Sequence, residues 1–197
     1  HRYSSAASDV YKRQAMGGKE GDVAFIVADT WSTTCSVLST LRLNLGNDFD
    51  LIDRSQDKFL WVTDFPLLDF SPEDGRWYAM HHPFTMVGDE FVDDLLNHND
   101  ENFGKMTAKA YDLVCNGYEI GGGSIRIHNP KVQEAMFKAL GISEEEAQER
   151  FGFFVEALRY GTPPHGGIAW GIDRVSMILT NTETVSYTHL RAHETSP

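Results

Sequence analysis

The spacing of apolar positions changes several times along this 197-residue chain. Over 22–28 (DVAFIVA) polar and apolar residues alternate and the run then turns wholly apolar, which predicts a short strand. A turn at Lys19-Glu20-Gly21-Asp22 precedes it, and Val37, Leu38, Leu41 and Leu45 then recur at helical spacing, predicting a helix over 33–45. The mostly apolar run 58–65 predicts a buried strand. Segments 67–70 and 76–82 flank Ser71-Pro72-Glu73-Asp74-Gly75 and predict a hairpin. Residues 86–104 are acidic and poorly patterned, as in a surface loop with one helical turn near 91–96. Two strands, 110–116 and 118–128, follow, joined at Gly117. Asn129-Pro130 opens a helix with proline at its first position, and Val132, Met136, Phe137 and Leu140 mark its buried face. Ser143 and Glu146 form a capping box for a second helix that runs to about Tyr160. A loop with two prolines leads to a last strand and a helix over 173–180. Strands with hairpins, interspersed with helices, predict an α+β architecture on a mainly antiparallel sheet.

Composition narrows the function classes. Hydrophobic residues make up 41%, as in a folded domain, and no apolar run approaches the ~20 residues of a membrane span. The formal charge is −12. Residues 1–14 carry net +2 and residues 185–197 carry none, so the remainder stands at −14. That acidity argues against this segment as the main grip on a nucleic acid, without excluding contacts made elsewhere in a longer protein. Cys35 and Cys115 lie in no paired motif and read as reduced core thiols of a cytoplasmic protein. The four tryptophans read as core or sheet-face residues, Trp170 on the face away from a nucleotide. Residues 1–14 and 185–197 resemble translated sequencing-adapter DNA and are set aside from fold reasoning; the alternative is a natural polar tail.

The chemistry concentrates in three segments. Gly166-Gly167-Ile168-Ala169-Trp170-Gly171-Ile172-Asp173-Arg174 is a glycine-spaced strand ending in an Asp-Arg pair at a helix start. Small residues admit a flat ligand, and Arg174 stands where a phosphate can be held by a charge-assisted fork; the alternative is an arginine paired with a carboxylate. Asp112 and Glu119 lie seven residues apart on adjoining strands, and a turn at Gly117 would bring both carboxylates to one place. Two hard oxygen donors suit Mg²⁺; the alternative is a surface carboxylate pair. Arg126, within an apolar alternation after three glycines, needs an anion, either a ligand's or that of a structural salt bridge. His81 and His82 point to opposite faces if the strand is regular, so at most one should meet a ligand.

With Phe59 to Pro66, Ala79 to Thr85 (AMHHPFT), Asn116 to His128 and Gly161 to His165 beside the first run, the chain resembles the C-terminal part of the bacterial-type aspartyl-tRNA synthetases, from about Ala15 to Glu183. Gly-Ile-Asp-Arg ending at Arg174 matches motif 3 of class II synthetases. The Tyr-Glu-Ile-Gly-Gly-Gly-Ser-Ile-Arg and His-His-Pro-Phe-Thr segments narrow the resemblance to the aspartate enzymes. It implies the end of an inserted α/β domain over 15–50, and over 51–184 part of a class II catalytic domain with its antiparallel sheet flanked by helices. It implies an aspartate–tRNA ligase acting on ATP, L-aspartate and tRNA(Asp), with Mg²⁺ as cofactor and a homodimeric parent. Catalytic roles would fall on Glu119, Arg126 and Arg174. ATP would meet Glu119, Gly171, Ile172, Asp173 and Arg174, with Arg174 on the γ-phosphate. Aspartate would meet His81 and Arg126, and the metal Asp112 and Glu119. His82 reads as a satisfied core histidine, and Asp64, His128 and His165 as supporting groups. Nothing matches motif 1, motif 2 or the anticodon-binding barrel, so the resemblance implies a fragment inactive by itself. Alternatives are an enzyme that also charges tRNA for asparagine, a free-standing paralogue that activates an amino acid without charging tRNA, and a non-catalytic module that keeps the glycine-rich sheet to bind a nucleotide or a partner.

Overall fold

The computed structural model describes residues 6–182. The chain falls into two compact units, His1–Gln56 and Asp57–Pro197. The division lies a few residues beyond the expected boundary at 50.

The first unit contains α1 (Ala6–Ala15) and α2 (Trp31–Asp48). The opening segment shows no period in sequence, yet residues 6–14 are helical as part of α1; residues 185–197 lie outside the described residues. The Thr30 hydroxyl caps α2 by accepting the Thr33 N–H. The expected strand over 22–28 does not form: Val23–Ala28 are outside any regular element, and the described part of this unit contains no other strand to pair with them. Alternation alone does not make a ladder; the backbone bonds need a partner. Cys35 was expected in a core and Trp31 in a core or on a sheet face, but both are exposed on α2, which has no buried residue.

The second unit is built on a four-stranded antiparallel sheet in the order β1-β6-β7-β8. Its strands are β1 (Phe59–Val62), β6 (Ala110–Cys115), β7 (Tyr118–Ile125) and β8 (Gly166–Trp170). Two short pairs flank it: β2 (Phe65–Pro66) with β5 (Thr107–Ala108), and the expected hairpin β3 (Leu68–Ser71) with β4 (Arg76–Ala79). Helices α3 (Val92–Leu96), α4 (Pro130–Ala139), α5 (Glu144–Arg159) and α6 (Ile172–Leu179) complete the unit. Asn116 and Gly117 take φ of 52° and 87°, the left-handed pair that a two-residue hairpin between right-twisted strands requires. The Asn116 side chain also ties β1 to this turn, accepting the Lys58 N–H and donating to Asp57.

The burial of β1 was misread. All four of its residues are exposed, Phe59 by 62%, because β1 is an edge strand paired with β6 alone among the described residues. Residues 86–104 were also misread as surface. Met86, Val87, Leu95 and Phe103 from that stretch join Leu67, Met106, Ile127, Val132 and Met136 in the main core. Its acidic residues mask these apolar contributions, which follow no single period. Val132, Met136, Phe137 and Leu140 are buried as expected, and so is Cys115. Ser143 Oγ caps α5 through the Glu146 N–H, while the Glu146 carboxylate turns to Arg150 instead of closing the box. Trp77 packs edge-on against Phe103, but Trp61 and Trp170 are half exposed.

Candidate active site

The sheet register decides which side chains meet. Asp112 pairs with Gly122, and Leu113 with Gly121, but Val114 pairs with Glu119, leaving Ile120 as an inserted residue. Glu119 shares the face of Asp112 because it pairs with Val114, two residues along β6, and the insertion brings Gly122 onto that same face. A Cβ on Gly122 would stand 2.6 Å from Asp112 Oδ1 and 3.1 Å from Glu119 Oε1. The two carboxylates therefore converge over a residue that has no side chain. Burial, and then the neighbouring Glu119 carboxylate, raises the pKa of Asp112, with His81 acting in the opposite sense. Negative charge gathered at this spot fits a divalent cation that keeps few protein ligands.

Gly122 pairs on its other side with Ala169, and Gly121 with Trp170, so Trp170 lies on the face away from the carboxylates. The glycines of β7 and β8 are needed for close approach: a Cβ on Gly123 would run into the Gly167 carbonyl. Tyr111 pairs with Gly123 and donates its hydroxyl to that carbonyl at 3.1 Å, crossing the strand at the place where it has no side chain. At the end of β8, the Gly171 N–H donates to the Ile120 carbonyl and starts α6. Arg174, in the first turn of α6, donates from Nη1 to the Glu119 carbonyl at 2.7 Å and lies 3.3 Å from Glu119 Oε2. Thus a carboxylate, not solvent alone, faces Arg174. The pair is half exposed.

Arg126 follows β7. Its N–H donates to the His165 carbonyl at 2.9 Å, and its backbone bridges Thr85. Among the described residues Arg126 forms no ion pair. Instead Nη1 lies 3.0 Å from His82 Nδ1, which also accepts the Phe84 N–H at 3.2 Å. An arginine can only donate, so Nδ1 must be unprotonated and the proton of neutral His82 sits on Nε2. Partial burial, and then the Arg126 charge, pushes the His82 pKa down. A cavity of about 420 Å³ opens beside this group, lined by Phe84, Gly122, Gly123, Arg126, Phe154, His165 and the start of β8.

The histidine pair thus divides differently from expectation. His82 touches Arg126, whereas His81 packs edge-on against Phe65 and its charge is felt at Asp112. Of the other three expected supporting groups, His165 contributes its backbone carbonyl, His128 keeps a buried Nδ1 without a partner, and Asp64 sits in a turn with its carboxylate on Thr63. Sequence reasoning missed Tyr111 and the His82–Arg126 bond. A tyrosine opposite a triple glycine was the available signal for the first; the second depends on loop geometry that no spacing encodes.

The family model of the class II tRNA synthetases (D, K and N) matches residues 7–192. The chain belongs to this family. An aspartate–tRNA ligase of Clostridium perfringens (strain SM101 / Type A) is 51% identical over 173 residues, covering 87% of this chain and 28% of that protein. One of Clostridium botulinum (strain Kyoto / Type A2) is 49% identical over 172 residues, with the same coverages of 87% and 28%. Among solved structures, the aspartyl-tRNA synthetase from Entamoeba histolytica matches with a TM-score of 0.50 at 18% identity, covering 96% of this chain and 31% of that one, a likeness of fold. The chain spans 28% of the length of the curated relatives it matches.

Proposed function

We propose that this chain is part of an aspartate–tRNA ligase and holds the aspartate and ATP ends of the site that makes aspartyl-adenylate. The observation that carries the reading is Arg126: a half-buried guanidinium beside a glycine-lined cavity, braced by a neutral histidine and paired with no carboxylate of its own among the described residues. An arginine in that state is short of an anion, and its planar fork matches the side-chain carboxylate of aspartate. Asparagine would leave the fork unpaired, which supports selection against it. The aspartate–tRNA ligases of the two clostridia lend support.

In this reading Arg126 grips the substrate side chain, with His81 a second contact from the carboxylate side. Asp112 and Glu119 hold Mg²⁺, which when bound would cancel charge on the phosphates. Gly171 to Asp173 lie along the nucleotide, and Arg174 takes the γ-phosphate in place of the Glu119 carboxylate. Catalysis is then positioning and charge cancellation, with little proton transfer by the protein. Transfer to tRNA(Asp), assembly as a homodimer and a cytoplasmic location would belong to the longer protein. No helix among the described residues is long and apolar enough to cross a membrane.

The test is a chimaera. The 173 matched residues replace their counterpart in the Clostridium perfringens relative, and ATP–pyrophosphate exchange is measured with aspartate and with asparagine. Exchange with aspartate alone supports the reading; a folded chimaera that exchanges with neither sinks it.

A further inference from the structure

Gln133 lies on α4 among Val132, Met136 and Ala139, and it is fully buried. A helix face this apolar would be filled as well by a methionine. Burying a primary amide there costs free energy unless its bonds are made, and Gln133 makes few: Oε1 is buried without a partner, as is Thr85 Oγ1. What the amide does make is one bond, Nε2 to the Pro83 carbonyl at 2.9 Å. A carbonyl can only accept, so that bond fixes which end of the amide faces Pro83.

Pro83 has no N–H, so its carbonyl is the one backbone polar group by which this residue can be held. It stands between His82, which touches Arg126, and Phe84, which bonds to the neighbouring Ile127. His82 Nδ1 accepts from both the Phe84 N–H and Arg126 Nη1, and the Phe84 carbonyl accepts the Ile127 N–H at 2.9 Å. The 82–85 segment is thereby joined to the Arg126 segment on one side and to α4 on the other.

We propose that Gln133 is a positioning residue: by holding the Pro83 carbonyl it sets the His82 ring, and His82 in turn sets the Arg126 guanidinium for an incoming carboxylate. This rests on Arg126 being the carboxylate ligand. The core position of Gln133 then has a reason that packing does not supply.

The test uses the 197-residue chain with ¹⁵N-labelled histidine and arginine, and Gln133→Met, which keeps side-chain length and removes the amide. In the parent, correlations within the ring should show His82 with Nδ1 unprotonated and Nε2 carrying the proton. In Gln133→Met the rest of the amide spectrum should persist, while His82 moves to mixed tautomers and the Arg126 side-chain signal shifts. Thr85→Val, which removes a buried hydroxyl but leaves the Gln133 bond, should leave both signals in place. Titration with L-aspartate should show affinity falling roughly tenfold in Gln133→Met, as for a misplaced binding group.

A protonated Nδ1 in the parent overturns the proposal without recourse to any variant. So does an unchanged His82 signal in Gln133→Met, an equal disturbance by Thr85→Val, or loss of the fold in Gln133→Met, which would make Gln133 a packing residue. If the tautomer results hold and no chain responds to aspartate, the positioning of Arg126 by Gln133 stands, and the ligase reading is decided by exchange in the chimaera.

Discussion

Asp112 and Glu119 face the same side of the sheet because Glu119 pairs with Val114, two residues along β6 from Asp112. The extra residue, Ile120, lies between Glu119 and Gly122, which in a regular strand would project to opposite faces. The bulge brings Gly122 to the face of both carboxylates, and the absence of a side chain there leaves room for them. The arrangement concentrates negative charge where neither group gains stability from the other.

Glu119→Gln should therefore damage function and spare the fold. Its ion pair with Arg174 is half exposed, and pairs of that kind contribute on the order of 0–1 kcal/mol. Thermal unfolding of the chain should change by no more than that allows. In the chimaera, ATP–pyrophosphate exchange should fall and its magnesium dependence should move to higher concentration. A variant that melts early but retains normal exchange per folded molecule would make Glu119 structural.

Asp112→Asn should stabilise the metal-free chain at neutral pH. The Asp112 pKa is raised in the fold, through burial first and Glu119 second. The folded state therefore holds the proton more tightly than the unfolded chain, and stability falls as pH rises from about the ordinary value of 3.8 through the raised one. Asparagine carries no such penalty. The gain in midpoint of unfolding should be present at pH 7, fade as pH drops below the raised pKa and vanish below 3.8. Mg²⁺ should narrow the gap by stabilising the parent. A variant less stable than the parent at pH 7 would contradict the raised pKa.

Gly123→Ala tests the close approach of β7 and β8. The added methyl group meets the Gly167 carbonyl, which is backbone and cannot swing aside as a flexible side chain would. Overpacking of this sort costs about 1–3 kcal/mol, and here it should also break the Tyr111–Gly167 bond. Denaturant unfolding reads the loss directly; a change within error would mean that the strands separate freely.

Arg126→Lys in the chimaera should raise the KM for aspartate far more than that for ATP. Lysine keeps the charge and loses the fork, a change worth on the order of 1–3 kcal/mol where bidentate geometry is used. An unchanged aspartate KM would remove Arg126 from the substrate site.

Local chemistry made much of the second unit legible from sequence. Asn116-Gly117 announces its turn, Asn129-Pro130 and Ser143 their helices, and Gly-Ile-Asp-Arg its strand-to-helix junction. Arg126 could be named as a candidate because a charged residue in an apolar strand is costly without a partner, Arg174 because it opens a helix after a glycine-spaced strand, and Asp112 and Glu119 because a turn brings two hard oxygen donors together. What failed depended on neighbours. Whether Phe59 is buried, or Val23 paired, is decided by strands that sequence period does not locate. The core contribution of Leu95 and Phe103 was hidden among acidic residues. That His82 and not His81 meets Arg126 turns on a loop held by Gln133, a residue that an apolar periodicity passes over.

The pairing of Arg174 with Glu119 has a thermodynamic consequence for the proposed site. Each is the other's counter-ion, so a phosphate arriving alone must compete with a carboxylate, and a cation arriving alone must compete with a guanidinium. When both arrive together, each ligand frees the residue that the other needs. Binding of nucleotide and metal is then cooperative, and reciprocally so: whatever factor the metal adds to nucleotide affinity, the nucleotide returns to the metal.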